Sequence, residues 1–185
     1  KKRVPKTKRV LIPNRVDITL RPASADNRTR YGHGEADSIV GKKGTPGGLK
    51  VAYERKSRLV MAKKVASMRP KDHAEALARI TMGVRMRTRT YDNGIENRDH
   101  EKLGIPSYFA HPYSSWEKGG VENANKMIRR YLPKGTDFRE VSQEEVDRIV
   151  FIINSKPRKI LGYRSALEVA LKAGIISSMS VLTEG

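Results

Sequence analysis

The sequence predicts an α/β protein, a mixed sheet covered by helices. Three observations carry that expectation. Residues 36–65 hold three short apolar segments separated by turn residues. From Pro70 onward, amphipathic helical segments alternate with single short strands. A capping box, Ser142-Gln143-Glu144-Glu145, introduces Val146, Ile149, Val150 and Ile153 at i, i+3, i+4 and i+7. The order reads βββαβαβαα, which places helices over a mixed sheet.

The elements follow in order. Residues 1–30 carry ten Lys or Arg against Asp17 and Asp26. They are polar and aperiodic, and read as an extended or flexible basic arm or linker. A core is expected over 31–172 and a C-terminal tail over 173–185. Ala36–Val40, Leu49–Tyr53 and Leu59–Val65 form an antiparallel meander, with the turn-rich Gly41–Gly48 between the first two. Pro70 opens a helix with Ala74, Leu77, Ala78 and Thr81 on one face. Arg87–Asp92 and Tyr108–Ala110 are the fourth and fifth strands, with a helix and loop between them. Trp116–Tyr131 is helical, its core stripe Val121, Ala124, Ile128 and Tyr131. Ser165-Ala166-Leu167-Glu168 opens a last short helix.

Composition narrows the function. The 185 residues suit one domain with a full core. No apolar run reaches eighteen residues, so no membrane span is expected, and no signal peptide is visible. The absence of cysteine excludes disulfide scaffolds, Cys-ligated zinc and thiol nucleophiles. A formal charge of +18 points to a polyanionic partner, nucleic acid first.

Against that charge, three acids stand out. Asp37 lies inside the first strand, where a carboxylate needs a partner or a cation. Asp92 ends the fourth strand in Tyr91-Asp92-Asn93-Gly94, which also suits a plain turn. Glu122 shares a helix face with Asn125, Lys126 and Arg129, which also suits surface Glu–Lys pairing. Together they are the ligand type that divalent ions use when phosphate oxygens complete the shell.

The motifs around these acids resemble those of insertion-sequence transposases of the IS-thirty family. Gly32-His33-Gly34-Glu35-Ala36-Asp37 with Val40-Gly41-Lys42 is similar to that family's first motif. Tyr53-Glu54-Arg55-Lys56-Ser57-Arg58 is similar to its second-strand signature. Asp92-Asn93-Gly94 with Glu96 and His100 resembles its second acidic motif, and Pro112 to Asn123 its third. Pro133-Lys134-Gly135-Thr136-Asp137 and Asn154 to Tyr163 resemble its C-terminal pattern. The likeness runs from about residue 12 to 171. Gly34 stands where the family has Trp, Asn97 where it has an aromatic residue, and the interval from Asp92 to Glu122 is short for it.

The resemblance implies an RNase H-like fold with a five-stranded mixed sheet. It implies DDE chemistry with Asp37, Asp92 and Glu122 as catalytic, metal-binding acids and Mg²⁺ or Mn²⁺ as cofactor. Water would nick transposon ends, and the 3′-OH would attack target DNA. The partners implied are DNA ends, target DNA and further copies of the chain in a dimer or larger assembly. The implied location is the prokaryotic cytoplasm, at the nucleoid. The family's N-terminal helix-turn-helix region has no counterpart here, so a catalytic core with its basic linker is expected. Two alternatives stay open, a basic nucleic-acid-binding protein that no longer cuts and a nuclease that cuts without joining.

Other candidates are weaker. His33 and His100, with Asn93 and Glu96, are expected to assist the site or to bond locally. His73 reads as a surface helix residue. Lys126, Arg129, Arg130, Lys156, Arg158 and Lys159 are candidate phosphate contacts, or a solvated charge run. Trp116 is either helix-start packing or a stacking surface for a base.

Overall fold

The structure is a computed structural model that describes residues 12–112 and 114–178. Residues 1–11 of the expected arm, 179–185 of the expected tail and Tyr113 of the third acidic motif lie outside the described residues.

Five strands make one mixed sheet: β1 (His33–Val40), β2 (Gly48–Glu54), β3 (Val60–Val65), β4 (Thr88–Tyr91) and β5 (Ser107–Phe109). Their order is β3-β2-β1-β4-β5, so β1 is central. β1 pairs antiparallel with β2 and parallel with β4, whose other neighbour β5 is also parallel. The α-helices among the described residues are α1 (Ala23–Asp26), α2 (Pro70–Ile80), α3 (Gly119–Ile128), α4 (Gln143–Ser155) and α5 (Ala166–Lys172).

Alternation along the strands builds two cores. Ile39, Leu49, Val51 and Tyr53 pack on Val121, Ala124 and Ile128 of α3 and Val146, Ile149, Val150 and Ile153 of α4. On the opposite face Ala36, Ala52 and Met61 meet Leu77 and Ile80 of α2 and Leu167 and Ala170 of α5. The expected stripe of α4 is therefore buried in full. Both serine caps form, but the full capping box expected also at Ser142 is present only at Ser165. The Ser142 hydroxyl accepts from the Glu145 amide, and Ser165 with Glu168 forms a complete capping box.

The edge strand β3 is closed by side chains rather than by another strand. Asn154 donates to the Val60 carbonyl at 2.7 Å and accepts from its amide at 2.9 Å. Gln143 accepts from the Lys64 amide at 2.9 Å and donates to the Ala62 carbonyl at 3.4 Å. Helix α4 thus satisfies backbone groups that would otherwise be open to another chain.

Five expectations are corrected. Residues 12–30 are not an extended arm, because Ile18 and Ala25 are buried and the Phe109 amide donates to the Val16 carbonyl at 2.9 Å. These apolar anchors are hidden in a basic stretch. The segment between β4 and β5 is not an α-helix but two 3₁₀ turns, Ile95–Asn97 and His100–Leu103. The buried face of α2 is His73, Ala76, Leu77 and Ile80, so Ala78 is exposed and His73 is not at the surface. Residues 116–131 are not one helix. A 3₁₀ turn, Ser115–Lys118, precedes α3, and Leu132 takes the core position expected of Tyr131. The junction falls at Gly119-Gly120, where α3 approaches the sheet. A Cβ on Gly120 would lie 2.3 Å from the Tyr53 ring. Ile175 and Ile176, at the start of the expected tail, are buried.

Candidate active site

Strand register brings the two aspartates together. In the β1–β4 pairing, His33 faces Thr88, Gly34 faces Arg89 and Glu35 faces Thr90. Continued two residues, that register sets Asp92 beside Asp37. The odd-numbered residues of β1 point to the α3 side, so Glu35 and Asp37 both face that helix. The Glu35 carboxylate accepts the Val121 amide at 2.7 Å, and its other oxygen pairs with the buried Arg55 guanidinium. The amide of Asn125 donates to Asp37 Oδ2 at 2.9 Å. Helix α3 is thereby docked against β1 on both sides of Glu122.

Asp37, Asp92 and Glu122 line one cleft of about 290 Å³ with Asn93, His111 and Lys118. Lys118 is 5% exposed, and its Nζ lies 3.6 Å from Asp37 Oδ1 and 3.4 Å from Asp92 Oδ2. A buried ammonium so placed holds two like charges near one another, which carboxylates alone would resist. Asp92 Oδ1 accepts from Asn97 Nδ2 at 2.7 Å and from the Gly94 amide at 3.2 Å. Lys50 accompanies this group from the other face of the sheet. Burial lowers its pKa to about 8, while Glu96, Asp92 and Asp37 pull it back up.

The donor set is chemically apt for a hard divalent ion, being all carboxylate oxygen. Asn125 Oδ1, beside Asp37, is buried without a hydrogen-bond partner among the described residues. As the side chains stand, no three His, Cys, Asp or Glu groups among the described residues converge on one ion position. The Lys118 ammonium lies between the two aspartates.

The assisting histidines are not brought to the cleft. His33 is locked between Thr88 Oγ1 at 2.8 Å and Ser24 Oγ at 3.0 Å, and burial lowers its pKa. His100 bonds to the Pro13 carbonyl at 3.0 Å and packs edge-on against Phe109. Both are held by the segments before β1, whose packing sequence reasoning missed. His111 rims the cleft in their place, between Glu117 and Asp17, and the hydrogen bond to Glu117 raises its pKa. Asn93 lines the cleft and donates to the Ala110 carbonyl at 2.8 Å, whereas Glu96 faces the Lys50 side.

The expected phosphate contacts divide. Lys126, Arg130 and Lys159 are exposed. Trp116 is 74% exposed, so it is not packing at the helix start. Lys156 bonds the Tyr131 hydroxyl at 3.1 Å. Arg129 is committed to the fold, donating to the Val40 carbonyl at 2.7 Å and the Pro133 carbonyl at 2.9 Å. Arg158 likewise donates to the Ile153 carbonyl at 3.0 Å. Missed in the sequence were Glu35, Arg55, Lys50 and Lys118. One signal was available, since Glu35 lies two residues before Asp37 and so on the same strand face.

The order of strands and the placing of helices on both faces define an RNase H-like fold, the fold of integrase catalytic core domains. The catalytic core domain of BIV integrase superposes with a TM-score of 0.58 at 21% identity, over 77% of this chain and 95% of that one. A simian T-cell lymphotropic virus intasome, solved with the PP2A regulatory subunit B56 gamma, gives 0.54 at 19% identity, over 66% and 48%. No family model matches the chain. By sequence it is homologous to insertion-sequence transposases. It is 39% identical to the transposase for element IS1086 of Cupriavidus metallidurans, over 91% of this chain and 52% of the relative. It is 38% identical to that for IS4351 of Bacteroides fragilis, over 84% and 49%. Transposase InsI for IS30A of Escherichia coli K12 is 32% identical, over 85% and 43%. The chain spans about half the length of the curated relatives it matches. Among the described residues no helix is long and apolar enough to cross a membrane.

Proposed function

We propose that this chain carries the catalytic core of a DNA transposase, nicking element ends and joining the exposed 3′-OH to target DNA. The observation that carries this reading is that Asp37, Asp92 and Glu122 line one cleft in a homologue of transposases. The core so proposed comprises residues 12–178, because the segments on both sides of 31–172 are packed on it.

Asp37 and Asp92, with Glu122 from α3, would hold divalent ions, Mg²⁺ or Mn²⁺. Such ions, when bound, activate the attacking oxygen and stabilise the leaving one. The chain's own residues do the rest. Asn97 and Asn125 orient the two aspartates, and Glu35 holds the helix of Glu122. Lys118 neutralises the aspartate pair from its buried position between them. Lys126, Arg130 and Lys159 attract the backbone of the duplex, and exposed Trp116 offers a stacking face beside the cleft. The active form is proposed to be a dimer or larger assembly on DNA, in the cytoplasm.

The test is a nicking and strand-transfer assay on labelled element-end DNA with Mg²⁺ or Mn²⁺, comparing the chain with Glu122→Gln. Metal-dependent nicked and joined products that vanish in the variant are expected. Nicked products without joined ones would make it a nuclease. DNA binding with no products from either protein would make it a binding protein.

A further inference from the structure

We propose that Asn97, locked by the buried ammonium of Lys50, is the positioning residue for the Asp92 carboxylate. The inference rests on reading Asp92 as a metal-holding acid.

Lys50 is 1% exposed and lies in β2, on the sheet face opposite the cleft. Its Nζ donates to Asn97 Oδ1 at 2.7 Å and lies 3.5 Å from Ser38 Oγ, above the Tyr91 ring at 5.8 Å. Asn97 is itself buried, in the 3₁₀ turn that follows Asp92. Its Nδ2 donates to Asp92 Oδ1 at 2.7 Å.

The chemistry of the two ends fixes the amide. An ammonium has three donors and no acceptor, so only the amide oxygen can face Lys50. The amide NH₂ is then forced toward Asp92, which as a carboxylate can only accept. Were Lys50 absent, the amide could turn and aim its oxygen at the carboxylate. With Lys50 in place, Asp92 Oδ1 is occupied and Oδ2 is the oxygen turned to the cleft, where Lys118 meets it. A cation buried behind the sheet thus sets the angle of an acid in front of it. No hydrogen bond joins Lys50 to Asp92 directly among the described residues, so Lys50 acts through Asn97.

The test is a double-mutant cycle of Asn97→Ala and Lys50→Met, read by Mn²⁺ affinity from electron paramagnetic resonance and by kcat and KM for nicking. Loss of an outer-shell partner weakens metal binding or activity about 10–100-fold. Asn97→Ala is expected to raise the Mn²⁺ Kd about tenfold and lower kcat by a similar factor, with KM for DNA unchanged. Lys50→Met is expected to match it, and the double variant to be no worse than either, because the two residues form one path. Asn97→Leu, which keeps the side-chain volume without a donor, gives a second reading if Asn97→Ala does not fold. Wild-type Mn²⁺ affinity in Asn97→Ala or Asn97→Leu, or losses that add in the double variant, would overturn the inference alone. A wild-type chain that takes up no Mn²⁺ would overturn the metal reading of the cleft and this inference with it.

Discussion

The Glu35 carboxylate accepts the Val121 backbone amide at 2.7 Å, tying the central strand to the first turn of α3. Glu35 precedes Asp37 by two residues, and Val121 precedes Glu122 by one. One buried hydrogen bond therefore sets the spacing between a strand acid and the helix acid. Glu35 is fully buried, and its second oxygen pairs with Arg55. Removing one partner of a buried ion pair leaves the other charge uncompensated, at about 3–5 kcal/mol. Glu35→Gln is expected to lose stability in that range in urea unfolding. A loss below about 1 kcal/mol would show that the buried pair with Arg55 does not stabilise the fold.

The close approach of α3 to the sheet gives a second prediction. A Cβ on Gly120 would meet the Tyr53 ring at 2.3 Å and Glu35 Oε2 at 2.8 Å, whereas one on Gly119 meets nothing within 4 Å. Gly120→Ala should cost about 1–3 kcal/mol through overpacking. Gly119→Ala should be neutral or slightly stabilising. Thermal melts of the two variants separate close contact from helix propensity, and equal midpoints would refute the contact.

Acid sensitivity follows from His73. Burial holds its pKa at about 4, with Lys50 adding to the shift. The unfolded chain binds a proton on this residue below about pH 6.5, while the native chain resists it down to about 4. Stability from this group is therefore lost as pH falls through that window, by up to about 3 kcal/mol. His73→Gln should flatten the change in unfolding free energy between pH 7 and pH 4.5. An unchanged slope would mean that other groups carry the acid response.

Nucleic-acid binding should sort the cations. Replacing exposed Lys126, Arg130 or Lys159 by Ala is expected to weaken binding at all sequences and to lower the salt slope by about 1 each. Arg129→Ala should instead lower thermal stability by about 1–2 kcal/mol, since its guanidinium bonds to the Val40 and Pro133 carbonyls. A salt slope that falls for Arg129→Ala, with stability intact, would return it to the DNA contacts.

The fold was largely legible in the sequence. The five strands stand within a few residues of their expected places, because alternation and turn residues are local signals. The α4 stripe and both serine caps were equally readable. The segments that were misread depend on remote partners. Ile18 and Ala25 look like part of a basic arm until β5 and Arg55 bind that stretch. His73 looks like a surface residue until Ser38 and the buried Lys50 are set opposite it.

The sequence by itself determined the helix and strand periods, the net charge of +18, and the motifs in which Asp37, Asp92 and Glu122 stand. These properties are written in residue type and spacing along the chain. Tertiary structure alone decided which buried charges support the acids. Lys50 and Asn97 lie 47 residues apart, Glu35 and Val121 86, and their pairing arises only when parallel register and helix docking bring them within hydrogen-bond reach. It also decided which basic residues stay free, since a guanidinium that has found carbonyls inside the fold, as Arg129 has, is spent on stability. Burial makes such charges depend on partners that no local pattern names.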